Sequence, residues 1–207
     1  MSEKFDMYGY DEIATNVFNR IYPVLAKQIV KNTEIKSGKC IDLGSGAGHL
    51  GIEIAKITDM EVYLYDINED AKDISLRKIK IENLENRVVP VIGDAKNMPF
   101  KDESIDLIVS RDSYKFWDDL EMSFFEIYRV LKKGGKTYIG VGFGSLELKD
   151  KIEETMINRG NKKWKKGKKR ISAEKFKSKF IDIFKNIGIE NYDFKIDDTG
   201  EWVIITK

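Results

Sequence analysis

The sequence predicts a doubly wound α/β domain built on a largely parallel sheet. Three observations predict it. Short apolar runs alternate with longer amphipathic segments through the middle of the chain. A glycine-rich turn, Gly44-Ser45-Gly46-Ala47-Gly48, follows the first of those runs directly. The length of 207 residues suits one domain with a substantial core and is short for two.

The elements follow in order. An amphipathic segment at about 11–31 precedes the first strand. Strands are predicted at 39–43 (KCIDL), 61–65 (EVYLY), 87–92 (RVVPVI), 105–109 (IDLIV) and 136–141 (KTYIGV). A helix over 49–57 places Leu50, Ile54 and Ile57 at helical spacing. Asn68 is a natural N-cap for a second helix, with Glu69 and Asp70 in its first turn, running to about Glu82. Residues 118–132 form a third around Leu120, Phe124, Ile127, Tyr128 and Leu131. Lys132-Lys133 would be its cationic last turn and Gly134-Gly135 its stop. Past residue 172 come one more helix, the run YDFKID, the turn residues Asp198-Thr199-Gly200, and EWVIIT. That last pair reads as a hairpin closing the sheet with an antiparallel strand.

Composition narrows the classes. Lys+Arg of 36 against Asp+Glu of 35 leaves a formal charge of +1, so the chain as a whole is no electrostatic trap for nucleic acid or membrane. The single cysteine, Cys40, excludes an internal disulfide framework and a Cys-rich metal site, and no metal-ligand cluster is recognisable. The polar start and the lack of a long apolar stretch lead to the expectation of a soluble cytoplasmic protein with no membrane partner.

The chemistry gathers around the glycine turn. Alternate glycines after a strand let the backbone pass close beneath a ligand, and the free N–H groups opening the next helix favour an anionic or strongly polar group. Asp66 ends the second strand, where an acid in doubly wound folds binds ribose hydroxyls. Asp94, in GDAKNMPF directly after the third strand, is placed to accept from an adenine amino group.

In order and spacing, IDLGSGAGHLGIEIA, YLYDIN, GDAKNMPF, IDLIVSRDS and VLKKGGKTYI resemble the successive motifs of class I S-adenosylmethionine-dependent methyltransferases. The similarity is to the type 11, ubiquinone-biosynthesis-like branch, strong over about 37–142. The resemblance implies a Rossmann-like sheet of seven strands in the order 3-2-1-4-5-7-6, with the last antiparallel. It divides one domain, 1–207, into an N-terminal helical cap (1–36), a cofactor-binding core (37–142) and an acceptor lid region with the last helix and hairpin (143–207). It implies S-adenosylmethionine as cofactor, S-adenosylhomocysteine as product, and a small-molecule acceptor.

By the same resemblance, Gly44, Ser45, Gly46 and Gly48 underlie the methionine part, Asp66 takes the ribose, Ile67 packs on the adenine, and Asp94 and Ala95 meet its edge. Asp42 falls near the methionine ammonium. Ser110 and Arg111, after the fourth strand, fall at the methionine end and the acceptor. Arg111, Asp112, Tyr10 and Tyr22 are the candidate polar groups near the methyl, with no general base assigned among them. His49, the lone histidine, reads as a loop-to-helix residue rather than a base.

Three alternatives stand beside this reading. Gly46-Ala47-Gly48-His49-Leu50-Gly51 fits G-x-G-x-x-G, but starts three residues past Leu43 where a dinucleotide fingerprint begins at the strand end. Residues 162–170, KKWKKGKKR, place seven basic side chains around Trp164. They suit a phosphate-bearing acceptor or RNA, though a solvated lysine-rich loop is favoured. A protein that holds the cofactor without transferring methyl is the third possibility.

Overall fold

The computed structural model describes residues 5–161, 164 and 172–207. It opens with two helices, α1 (Met7–Asn16) and α2 (Ile21–Thr33), where the sequence predicts one amphipathic segment. Pro23 explains the break. In the first turn of α2 its missing N–H costs no helical bond, whereas inside one continuous helix it would.

The sheet comprises β1 (Lys39–Leu43), β2 (Glu61–Asp66), β3 (Val88–Ile92), β4 (Ile105–Arg111), β5 (Leu131–Gly142), β6 (Tyr192–Asp197) and β7 (Gly200–Ile205). Its strand order is β3-β2-β1-β4-β5-β7-β6, as the sequence predicts. β7 runs antiparallel to β5 and β6, and the other neighbours are parallel. The connecting helices are α3 (His49–Ile57), α4 (Glu69–Ile81), α5 (Leu120–Val130), α6 (Leu146–Asn158) and α7 (Ala173–Ile187).

Strand alternation sends side chains to two cores. Leu107 and Val109 of β4 join Cys40 beneath α2 and α3, while Ile108 joins Ile41 and Leu43 on the opposite face. There Phe176, Phe180 and Phe184, four residues apart on α7, form a buried aromatic stripe. Asn68 caps α4 as predicted, its side chain accepting from the Asp70 N–H.

Two local expectations are corrected, and one further helix is added. Lys132-Lys133-Gly134-Gly135 does not end α5, which stops at Val130, because buried Leu131 already pairs with Ile105 in the sheet. Lys132 instead spends its ammonium on both Asp106 oxygens at 2.9 Å. Ser110 and Arg111 are the last two residues of β4 rather than following it. Between β5 and α7 lies α6, held by Leu148, Ile152 and Met156 on the face it buries. No helix among the described residues is long and apolar enough to cross a membrane.

β1 and β4 are neighbours whose following segments leave on opposite faces, so a crevice opens beyond their carboxyl ends.

Candidate active site

The glycine turn begins where β1 ends. The Gly44 and Ser45 N–H groups donate to the Tyr65 carbonyl at 2.8 and 3.2 Å, bending the chain toward β2. Gly44, Gly46 and Gly48 all have positive φ (69°, 52° and 79°), the left-handed region that side chains resist. At Gly44 a side chain would also strike Ser113, whose Cβ lies 2.3 Å from the position a Cβ would take. Gly48 then serves as N-cap of α3 with no side chain of its own to cap the helix, and Asp42 takes the Gly51 N–H.

Asp66 closes β2 beside this turn. One oxygen accepts from the Gly46 N–H at 2.7 Å and the other from the Asn68 N–H at 2.9 Å. Burial raises its carboxyl above the ordinary range, and the backbone donors oppose that rise. A carboxylate offers about four lone-pair positions, so acceptor capacity remains for a ligand. Ser45, Gly46 and Asp66 line a cleft of about 160 Å³ with Leu64, Asn68, Ala71, Lys72, Ser75, Val91 and Ile92.

The cleft is shallow and encloses almost no space of its own. The cause is α1. Met7 and Tyr10 rest over the turn, each with an atom 3.7 Å from where a Gly46 Cβ would sit. Met7 packs in one cluster with Ala47 and with Ala71 and Ile74 of α4.

The other predicted residues distribute unevenly. Asp42 is buried and accepts from the Gly51 N–H at 2.8 Å; burial pushes its carboxyl up to about 7. Ile67, Asp94 and Ala95 lie outside the cleft lining. Ile67 is exposed, and Ala95 packs against the core beneath α5 and α7. Asp94 accepts from the Lys96 N–H at 3.0 Å and pairs with its ammonium at 3.6 Å. Asp112, at φ 63°, turns its carboxylate to Lys115 at 2.6 Å. Of the aromatics after it, Trp117 packs against Phe124, while Phe116 stays exposed, edge-on to Phe5.

Tyr10, Tyr22 and Arg111 are brought together. The guanidinium lies 5.3 Å from the Phe18 ring centre and 5.6 Å from that of Tyr22, and Nε donates to the Gly142 carbonyl at 3.2 Å. The Tyr10 phenol is beside both Tyr22 and Arg111. Burial pushes the Tyr22 phenol far above its usual value, which keeps it a hydrogen-bond donor rather than a base.

The sequence reading missed several residues here. Ser113 bonds Ser110 and donates to the Leu43 carbonyl at 3.0 Å, tying the end of β4 to that of β1. Asp11 Oδ1 takes the Lys78 ammonium at 2.7 Å and His49 Nε2 at 2.8 Å, which fastens α1 to α4 and to the start of α3. The Lys78 ammonium lies 3.0 Å from the same Nε2, so all three groups meet at one point. An acid one turn from a helix start carries no signal in sequence that its partners lie 38 and 67 residues away. Of the basic segment 162–170 only Trp164 is among the described residues, packed against Phe18 and Phe143; the rest lies outside them.

Comparison with known proteins identifies the family. Residues 41–139 match the type 11 family described as a methyltransferase domain. The crystal structure of a candidate S-adenosyl-L-methionine-dependent methyltransferase from Methanococcus maripaludis is similar over the whole length. It shares 41% identity, covers 100% of this chain and 97% of that one, and superposes with a TM-score of 0.92. A demethylmenaquinone methyltransferase from Lactobacillus johnsonii is 33% identical over 55% of this chain and 48% of its own length. Phosphoethanolamine N-methyltransferase 2 from Caenorhabditis elegans is 30% identical over 76% of this chain and 36% of its own. The chain therefore spans half or less of the length of these two curated relatives. It belongs to the class I S-adenosylmethionine-dependent methyltransferases, and S-adenosylmethionine is its expected cofactor.

Proposed function

We propose that the chain transfers the methyl group of S-adenosylmethionine to a small-molecule acceptor. The observation that carries this reading is the Asp66 carboxylate, held at the cleft by the N–H groups of Gly46 and Asn68. In that position it accepts the two ribose hydroxyls. The turn of Gly44, Ser45, Gly46 and Gly48 lies under the methionine part, and the N–H groups opening α3 ahead of Gly51 favour its carboxylate. Asp42 faces the ammonium. Ile67, Asp94 and Ala95 border the adenine once α1 and the loop after β3 adjust to it.

Bound S-adenosylmethionine supplies a methyl on a sulfonium, and the electron pair of the broken C–S bond stays on sulfur to give S-adenosylhomocysteine. The protein's part is alignment and exclusion of water. Met7 and Tyr10 cover the turn, while Ser110, Arg111 and Tyr22 border the acceptor side. Asp112 is committed to Lys115 and Tyr22 is held protonated, so this reading assigns neither as a general base.

Small-molecule relatives support the acceptor class: the curated names include demethylmenaquinone and phosphoethanolamine. Calorimetry with S-adenosylmethionine and S-adenosylhomocysteine tests the cofactor assignment. Asp66→Ala should weaken binding about 10- to 100-fold, the worth of one to two hydrogen bonds to a charged group. No binding by the wild type, or unchanged binding by the variant, defeats it. Incubation with labelled cofactor and a metabolite extract tests the transfer; label that enters no small molecule argues for a holding protein instead.

A further inference from the structure

Arg111 is a buried cation of the site that forms no ion pair among the described residues. Its side chain sits at the end of β4, in a residue only 9% exposed. Its recorded contacts are the Gly142 carbonyl, the Tyr10 phenol and the faces of Phe18 and Tyr22. Among the described residues no carboxylate forms an ion pair with it. Asp112, its neighbour in sequence, is drawn to Lys115, and buried Asp42 is engaged by the Gly51 N–H. Aromatic faces hold a cation in place without cancelling its charge. A guanidinium has five N–H donors in a planar fork matched to an oxyanion, and most of these remain unused.

We propose that Arg111 anchors a carboxylate on the methyl acceptor, so that the acceptor is a small carboxylate-bearing molecule. This rests on the methyl-transfer reading above. Two arguments separate the acceptor from the cofactor as the source of the anion. The first is position. Arg111 leans toward Gly142 at the end of β5, and the sheet order puts β5 beyond β4 from the β1–β2 cleft where Asp66 lies. The amino-acid end of the cofactor has donors of its own at the start of α3. The second is charge. A sulfonium brought beside a buried guanidinium sets two cations together in a poorly screened space. An anion entering between them relieves both, and a carboxylate pairs with the planar guanidinium fork through two parallel N–H···O bonds. The carboxylate is a handle that orients the acceptor; the methyl goes to another atom of it.

The test uses the whole chain saturated with S-adenosylhomocysteine, labelled with ¹⁵N at arginine. Acetate and benzoate should move the Arg111 Nε–H resonance, identified by its loss in Arg111→Lys, while acetamide and benzamide should not. By calorimetry, Arg111→Gln should bind benzoate at least about tenfold more weakly than the wild type yet keep its S-adenosylhomocysteine affinity within about threefold. Arg111→Lys, which keeps the charge but not the fork, should bind benzoate about tenfold more weakly. The proposal is overturned if neither carboxylate moves the resonance in the wild type, a readout that needs no variant to fold. It is also overturned if Arg111→Gln loses S-adenosylhomocysteine affinity tenfold or so while keeping that for 5′-methylthioadenosine, which lacks the amino-acid carboxylate. A wild type that binds neither nucleoside sinks the cofactor reading itself, a distinct failure.

Discussion

The rings of Tyr22 and His49 stack 4.9 Å apart with their planes 13° from parallel. That contact joins α2 to the first residue of α3, and Asp11 binds the same imidazole from α1. The lone histidine is thus the meeting point of the cap helices and the cofactor turn.

Burial, helped by the Lys78 ammonium, pushes His49 down to about 4 from an ordinary value of 6.5. Below that ordinary value the unfolded chain takes up a proton that the folded chain refuses. Stability from this group is therefore complete above pH 6.5 and is lost as pH falls toward about 4, by up to about 3 kcal/mol. Urea unfolding midpoints across this range should fall in the wild type and less in His49→Phe, which keeps a ring against Tyr22. Parallel curves for the two would remove the histidine from the account.

The contacts of Asp11 predict a second behaviour. Asp11→Ala should cost about 1 kcal/mol, in keeping with a partly exposed ion pair. Lys78→Ala should cost a similar amount, and the double variant less than the sum, because both remove the same contact. Amide exchange in α1 should quicken in each. Strict additivity in thermal melts would show that Asp11 and Lys78 do not act together.

Asp42 carries the opposite sign. Burial raises its carboxyl to about 7, so its own contribution to folding is present at low pH and lost as pH rises through about 7. Ligand binding runs the other way, because only the ionised form attracts an ammonium. Affinity for S-adenosylhomocysteine should climb about tenfold between roughly pH 6 and pH 8, and Asp42→Asn should flatten the climb. A flat wild-type profile would separate Asp42 from the cofactor.

Gly44 and Gly134 isolate the cost of crowding. Both have positive φ, 69° and 79°, yet a Cβ at Gly134 meets nothing within 4 Å while one at Gly44 collides with Ser113. Gly134→Ala should cost about 1–2 kcal/mol from backbone strain alone. Gly44→Ala should cost more and loosen the Ser113 tie to β1. Equal melting temperatures for the two variants would contradict this.

Much of the sheet was legible because parallel strands buried on both faces read as continuous apolar runs, as at 39–43, whose bounds β1 reproduces. The Asn68 cap was legible because capping is local. The end of α5 was not, since two lysines and two glycines satisfy the rule for a helix stop while Leu131 answers to Ile105 across the sheet. α6 was overlooked because Leu148, Ile152 and Met156 make a narrow stripe in a charged segment. At the site, the turn and Asp66 are close in the chain and declare themselves. The grouping of Tyr10, Tyr22 and Arg111 depends on how α1 and α2 fold back over the sheet, which no local pattern encodes.

Met7 and Tyr10 pressed against the glycine turn have a kinetic consequence. A donor bound over the turn would have to displace Met7 and Tyr10 to enter, and the spent donor to leave. Catalytic cycles would then be paced by the helix's departure rather than by bond breaking. Turnover should slow in proportion to solvent viscosity, and a variant with a loosened α1 should escape that brake.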